Sequence, residues 1–276
     1  MTAVVLALGA AALWGAGDFL GGLTTRRLPV LIVLFWSQLL GLCGIAVWIA
    51  VSSAERPGAV LLWAAGAGIA GAVGLGCLYR GMAIGAMGIV APISATSPIV
   101  PLLVSVTRGD SPAAVQWAGI ALALAGVVIV SREPGGVSSR VAAGVGLALL
   151  AALCFGLFVV GLGEAAQDSA QWATATARFS SVLALVVALG WTRTAPRVPR
   201  RLVVPVLAVG VFDTGANVLI ALATRHGSLG IVAVLSALYP LTTILLARAV
   251  LHERLGASRT AGGLVALSGA ALIAAG

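Results

Sequence analysis

Only 8 acidic residues occur in the chain, and two of them, Asp18 and Asp213, fall inside long apolar runs. Carboxylates in such places exchange protons, anchor a polar solute or pair with a cation. Asn217 follows Asp213 by one helical turn, and Trp14 precedes Asp18 by one, so each pair shares a helix face. A buried charge at membrane depth costs several kcal/mol unless it is paired or hydrated, which makes Asp213 and Asp18 candidates for proton coupling. The competing reading is a structural ion pair with Arg80, Arg178 or Arg248. Trp14, Gln38, Tyr79, Ser94, Asn217, Ser236 and Tyr239 are the polar or aromatic groups placed to touch a solute. Gln38 and Tyr239 are equally suited to bonding a neighbouring helix. Arg80 reads first as a side chain reaching for headgroups.

Other chemistries have little support. His252-Glu253 begins like a zinc-protease motif, but Leu255 and Gly256 follow where the second half of that motif would stand. No Ser/His/Asp set or phosphate-binding loop is present. Cys43, Cys77 and Cys154 are odd in number, lack metal spacing and sit in apolar runs, where they read as buried small hydrophobes. No catalytic residue, metal or cofactor is expected.

These residues need an apolar scaffold. The chain is 61% hydrophobic and 9% charged, with mean hydropathy +1.13. A soluble domain carries roughly 25% charged residues, so most of this chain belongs in lipid. Its net charge of +8 comes from arginine alone, concentrated between the apolar runs. There it reads as a topology signal and headgroup contact, and nucleic-acid binding is excluded as a function. The run from Ala3 lacks a basic N-terminal flank and is too long for a signal-peptide core, so it reads as an uncleaved first span.

With about 20 apolar residues per span, helices are expected near 3–22, 30–51, 60–84, 88–107 and 113–131, then near 141–163, 170–191, 202–223, 230–251 and 258–275. That makes an all-α polytopic membrane protein of about ten transmembrane helices. Trp48, Trp63, Trp117, Trp172 and Trp191 fall near the predicted helix ends, as interfacial rings do.

The chain also repeats itself. Gly85-Ala86-Met87-Gly88-Ile89-Val90-Ala91 and Gly227-Ser228-Leu229-Gly230-Ile231-Val232-Ala233 share a register that continues to Pro98 and Pro240. Gly119 and Gly126 correspond to Gly262 and Gly269, and Trp14-Gly15 to Phe155-Gly156. The units are residues 1–131 and 142–276, with a polar, turn-rich link at 132–141. An odd number of spans per unit makes the two five-helix repeats inverted copies, which frame a site between them. Pro92, Pro98, Pro101 and Pro240 interrupt the fourth and ninth runs, which lipid tolerates only where the freed backbone is satisfied. Those helices should therefore face one another across an interior cavity, with Ser94 and Ser236 at the bends. The Gly119-x-x-x-Ala123 and Gly262-x-x-x-Ala266 spacings suit packing within the monomer first and homodimer formation second.

Gly-x-x-Gly-Ile-Val-Ala with its following proline, Leu251-His252-Glu253-Arg254-Leu255, Trp14-Gly15 and Leu78-Tyr79-Arg80-Gly81-Met82-Ala83 together resemble the EamA family of the drug/metabolite transporter superfamily. The likeness covers both halves, and only Arg108-Gly109-Asp110 departs from the family pattern. It implies a secondary-active transporter of small organic metabolites in the cytoplasmic membrane, with export of amino acids or related compounds by alternating access. A solute channel and an intramembrane enzyme are the alternatives.

Orientation is contested. Arg26 and Arg27, Arg132 and Arg140, Arg193, Arg197, Arg200 and Arg201, and Arg254 and Arg259 all lie in odd-numbered loops. Short-loop arginine bias puts those loops in the cytoplasm and both termini outside. The family resemblance implies the reverse. We follow the charge bias, because the loops are short enough for it to act.

Overall fold

The computed structural model describes residues 2–51, 61–109, 112–131, 139–166, 169–226, 235–236, 238–252 and 256–275. These are helical, with no strand among them. The first half contributes α1 (Thr2–Thr25), α2 (Val30–Val51), α3 (Leu61–Ile84), α4 (Met87–Ser94), α5 (Ile99–Thr107) and α6 (Ala114–Ser131). The second contributes α7 (Ser139–Ala166), α8 (Ala170–Trp191), α9 (Arg200–His226), α10 (Tyr239–Leu251) and α11 (Ala257–Ala275). Six of these, α1, α2, α3, α7, α8 and α9, are long and apolar enough to cross a membrane. Leu, Val, Phe and Trp side chains such as Val51, Leu62, Phe179 and Val204 stand exposed on their outer faces, the surface that lipid covers.

The fourth expected helix is two pieces. α4 ends at Ser94, a turn runs through 95–98, and α5 starts at Ile99. The break is held by side chains: Ser94 Oγ donates to the Ala91 carbonyl at 2.8 Å, and Thr96 Oγ1 to that of Ile93 at 2.8 Å. Pro92 lies inside α4 without ending it, and Pro240 opens α10 in its first turn, where its missing N–H is not needed. Residues 227–234 of the second repeat copy lie outside the described residues, as do 132–138 of the link; α7 already begins at Ser139.

Glycines set the helix contacts. Gly119 backs onto Gly269 and Ile273, and Gly126 onto Gly262 and Ala266, so α6 and α11 run antiparallel with their backbones touching. In the repeat register, Gly119 against Gly269 is the mirror of Gly262 against Gly126. The pair is thus self-complementary, like an isologous interface between two copies. Small residues at such contacts replace the hydrophobic drive that lipid does not supply. The glycine spacing therefore serves packing within the chain.

The crossing between halves is reciprocal too. Gly15 on α1 lies under the backbone of Tyr239 and Thr243 at the start of α10, and Thr243 Oγ1 donates to the Gly15 carbonyl at 3.0 Å. Its equivalent, Gly156 on α7, lies under Ser97 and Val100 at the α4–α5 break. Likewise α1 packs along α9, and α3 along α7. The molecule is a two-repeat helical bundle in which each half closes around the other.

Candidate functional site

The polar residues at the centre are carried by α1, α2, α3, α8, α9 and α10. Arg178 lies eight residues into α8, where Gly41 on α2 leaves room for its guanidinium. It donates to Asp213 Oδ2 of α9 at 2.5 Å and to Gln38 Oε1 of α2 at 2.6 Å. One cation thus ties three helices together. Its side chain is 16% exposed and that of Asp213 23%. Both are shielded enough from water for the charge-assisted bonds to matter. Of the three arginines weighed as partners for Asp213, Arg178 takes the role; Arg80 and Arg248 are exposed.

Asn217 Nδ2 donates to the Asp213 carbonyl at 2.7 Å, so it remains on the Asp213 face as its spacing requires. Asp18 approaches from α1 and lies within electrostatic range of Asp213, Tyr79 and Tyr239. One guanidinium therefore serves a neighbourhood holding two carboxylates. Gly17 makes this possible by letting α1 sit against Val209, Phe212 and Asp213 of α9. Tyr79 is buried with its ring over Gly21. The Tyr239 ring meets Trp14 edge-on, with centroids 6.4 Å apart, and Ser94 lies near its hydroxyl. Ser236 lies just before α10 and is half-buried.

A cavity of about 240 Å³ adjoins the ion pair. Gly41, Gly44, Ile45 and Trp48 of α2, Thr174 and Arg178 of α8, and Thr214, Asn217, Val218 and Leu222 of α9 line it. Its walls are mainly apolar, with polar groups converging on Arg178. The Thr214 hydroxyl oxygen is buried without a hydrogen-bond partner among the described residues. This is the form of a small-solute site, apolar around a few placed polar groups.

The cavity does not lie between the fourth and ninth spans, as the prolines suggested; α4 and α10 touch one another instead. Of the expected solute-contacting residues, Asn217 lines the cavity and Gln38 reaches it through Arg178. Trp14, Tyr79, Ser94 and Tyr239 do not line the cavity; Trp14 packs on Tyr239, and Tyr79 and Tyr239 lie within electrostatic range of Asp18. Arg178, Trp48, Thr174 and Thr214 were not singled out for this role. For Arg178 a signal existed: it is an arginine well inside an apolar run. Cys154 is buried as expected, whereas Cys43 is exposed on α2. His252 caps α10 in the left-handed conformation, which accounts for it without a ligand role, and Glu253 lies outside the described residues.

A bundle of two interlocked repeats around a small polar-centred cavity is the architecture of a multi-pass membrane transporter. The EamA-like transporter family matches residues 1–132 and again 142–275, and the chain belongs to that family. Its members are transporters of small solutes, which makes this chain a membrane transporter. A crystal structure of a protein 19% identical, covering 98% of this chain and 95% of its own, superposes with a TM-score of 0.59 and shares the fold. No curated protein matches the chain.

Proposed function

We propose that this protein is a secondary-active exporter of amino acids or related small organic metabolites in the cytoplasmic membrane, working by alternating access. The observation that carries the reading is the Arg178–Asp213–Gln38 group at the wall of a 240 Å³ cavity. That volume suits one small metabolite. Arg178 uses two of its N–H groups on Asp213 and Gln38, and a guanidinium has five. The remaining donors, with Thr174, Thr214 and Asn217, suit a carboxylate or other acceptor-rich head. Ile45, Trp48, Val218 and Leu222 suit an apolar body.

Asp213 is the proposed coupling carboxylate, with Asp18 as its second member. Two carboxylates beside one arginine leave an excess negative charge, which a proton or a cationic group on the solute neutralises. A proton taken up at Asp213 would weaken its hold on Arg178 and so link protonation to the solute site.

Purified protein in proteoliposomes, screened against amino acids with and without a pH gradient, tests this directly. The expected result is saturable flux, counterflow and accumulation when the gradient is imposed. Flux no greater than in protein-free vesicles across the panel would reject amino acids as cargo. Flux without saturation or counterflow would indicate a channel.

A further inference from the structure

Four arginines, Arg193, Arg197, Arg200 and Arg201, follow the last turn of α8, and the stretch from Ser169 to Phe212 contains no acidic residue. The stretch from Phe19 to Ala54, which includes α2, contains none either. Where α2 meets the end of α8, the local sequence therefore supplies cations and no anion. Glu133 and Glu253, the acids that the sequence places at this same end of the bundle, lie outside the described residues.

The α8–α9 connection folds back on the helix it leaves. The backbone N–H groups of Thr192, Arg193 and Thr194 donate to the carbonyls of Ala188, Gly190 and Leu189 at 3.0, 3.1 and 2.9 Å. Arg193 takes a left-handed conformation, with φ 51°, within that turn. The last carbonyls of α8 are thus satisfied, which blunts the negative end of the helix. The Trp36 indole N–H of α2 donates to the Pro196 carbonyl at 3.0 Å and holds the connection against α2. These elements line a shallow groove of about 450 Å³, with Phe35, Val186 and Leu189 on its apolar wall and Arg193, Thr194 and Pro196 at its other end. Trp191, 88% exposed, marks the membrane interface between the two parts. Val186 lies five residues before it, roughly 7.5 Å deeper along the helix. The Arg193 guanidinium is exposed and has no hydrogen bond or ion pair among the described residues.

We propose that this groove binds one anionic glycerophospholipid, with its phosphate on Arg193 and an acyl chain along Phe35, Val186 and Leu189. The groove passes from apolar helix surface to a guanidinium across one membrane interface, which is the polarity profile of a lipid molecule. The bilayer delivers such a molecule directly, because α2 and α8 are both long and apolar enough to span it and Val186 is exposed on the outer face. Charge selects among lipids. A zwitterionic headgroup brings an ammonium that the four arginines repel and that meets no acid along either lining stretch, whereas a net negative headgroup is attracted by all four. The backbone bonds of the connection and the Trp36–Pro196 bond fix the groove in place, so this is a built site rather than an arginine reaching for any headgroup. It lies at the other end of α2 from the transport cavity, and it rests on the membrane placement of the chain, not on the proposed cargo or coupling.

The full-length protein, stripped of lipid in a neutral detergent, is titrated with dioleoyl phosphatidylglycerol or dioleoyl phosphatidylcholine, and bound lipid is counted by native mass spectrometry. Phosphatidylglycerol should fill one saturable site and bind more tightly than phosphatidylcholine. Arg193→Gln should weaken phosphatidylglycerol on the order of fivefold, the contribution of one cation beside an anionic headgroup, and leave phosphatidylcholine unchanged. Arg193→Lys keeps the charge and should retain most of the affinity. Val186→Trp fills the apolar wall and should weaken both lipids. Arg248→Gln, in the last turn of α10, which packs on α1 and α4, should change phosphatidylglycerol binding by less than about twofold. Thermal melting of each variant without lipid shows that a loss of binding is not a loss of fold. Equal losses for Arg193→Gln and Arg248→Gln would overturn the proposal in favour of diffuse attraction by net charge. Equal affinity of the unsubstituted protein for the two lipids would overturn it too. Displacement of phosphatidylglycerol by millimolar inorganic phosphate would make the groove a free-anion site and overturn the lipid as its occupant.

Discussion

Arg178 and Asp213 illustrate how much one side chain's meaning depends on its partner. An arginine within an apolar helix is expensive alone, and paired with an acid it becomes a joint between helices. Asp213→Asn should abolish solute accumulation driven by a pH gradient, while solute exchange without a gradient persists; proteoliposome assays compare the two directly. Accumulation unchanged by the substitution would reduce Asp213 to a structural role. The substitution also leaves Arg178 without its acid. Breaking a buried pair costs roughly 3–5 kcal/mol, and water in the adjoining cavity lowers that figure. Arg178→Gln/Asp213→Asn removes both charges and should recover most of the lost stability, measured as resistance to unfolding by a denaturing detergent. It should not recover gradient coupling. A double variant as unstable as the sum of the singles would show that the two residues do not act as a pair.

Helix contacts in this bundle are made by residues that leave space. Gly126 is in backbone contact with Gly262 and Ala266, and Gly119 with Gly269, so the α6–α11 pair has no room for a side chain there. Gly126→Leu should push the helices apart and destabilise the protein by about 1–3 kcal/mol or more, read in the same detergent titration. Gly146→Leu faces open space among the described residues and should change stability little. Equal effects at the two positions would mean that helix propensity, rather than backbone approach, governs the outcome. The α4–α5 break makes a similar point. Three prolines mark it in sequence; in the structure Pro98 ends the turn and Pro101 falls in the first turn of α5, with Ser94 and Thr96 bonding the carbonyls of Ala91 and Ile93. Pro92 stays within α4, because an accommodated proline bends a helix without necessarily stopping it.

At the scale of the whole molecule, an inverting rotation should bring residues 1–131 onto 142–276 with Pro98 over Pro240. An experimental structure with these prolines at different depths would contradict that. Orientation follows from charge. Ser138→Cys and Val198→Cys, each in a cysteine-free background, should resist an impermeant thiol reagent added to intact cells, because both belong to arginine-rich loops that the charge bias places in the cytoplasm. Labelling at both positions would reverse the orientation. The sequence alone determined the solvent, the helical class and the two-fold repetition. Those depend on composition and on period, which are summed along the chain and survive any particular packing. It also marked Asp18, Asp213 and Gln38, since an intramembrane polar group is conspicuous wherever it lies. The location of the cavity was decided by tertiary structure. Gly41, Trp48, Thr174, Thr214 and Leu222 are ordinary residues of apolar helices, and they become one surface only when α2, α8 and α9 meet. The choice of Arg178 over Arg80 and Arg248 depended likewise on which helix faces inward. The difference between Gly22 and Gly163 has no trace in the sequence at all: the two glycines are equivalent in the repeat register, and only tertiary packing sets Gly22 against Met82 while Gly163 meets nothing within 4 Å among the described residues.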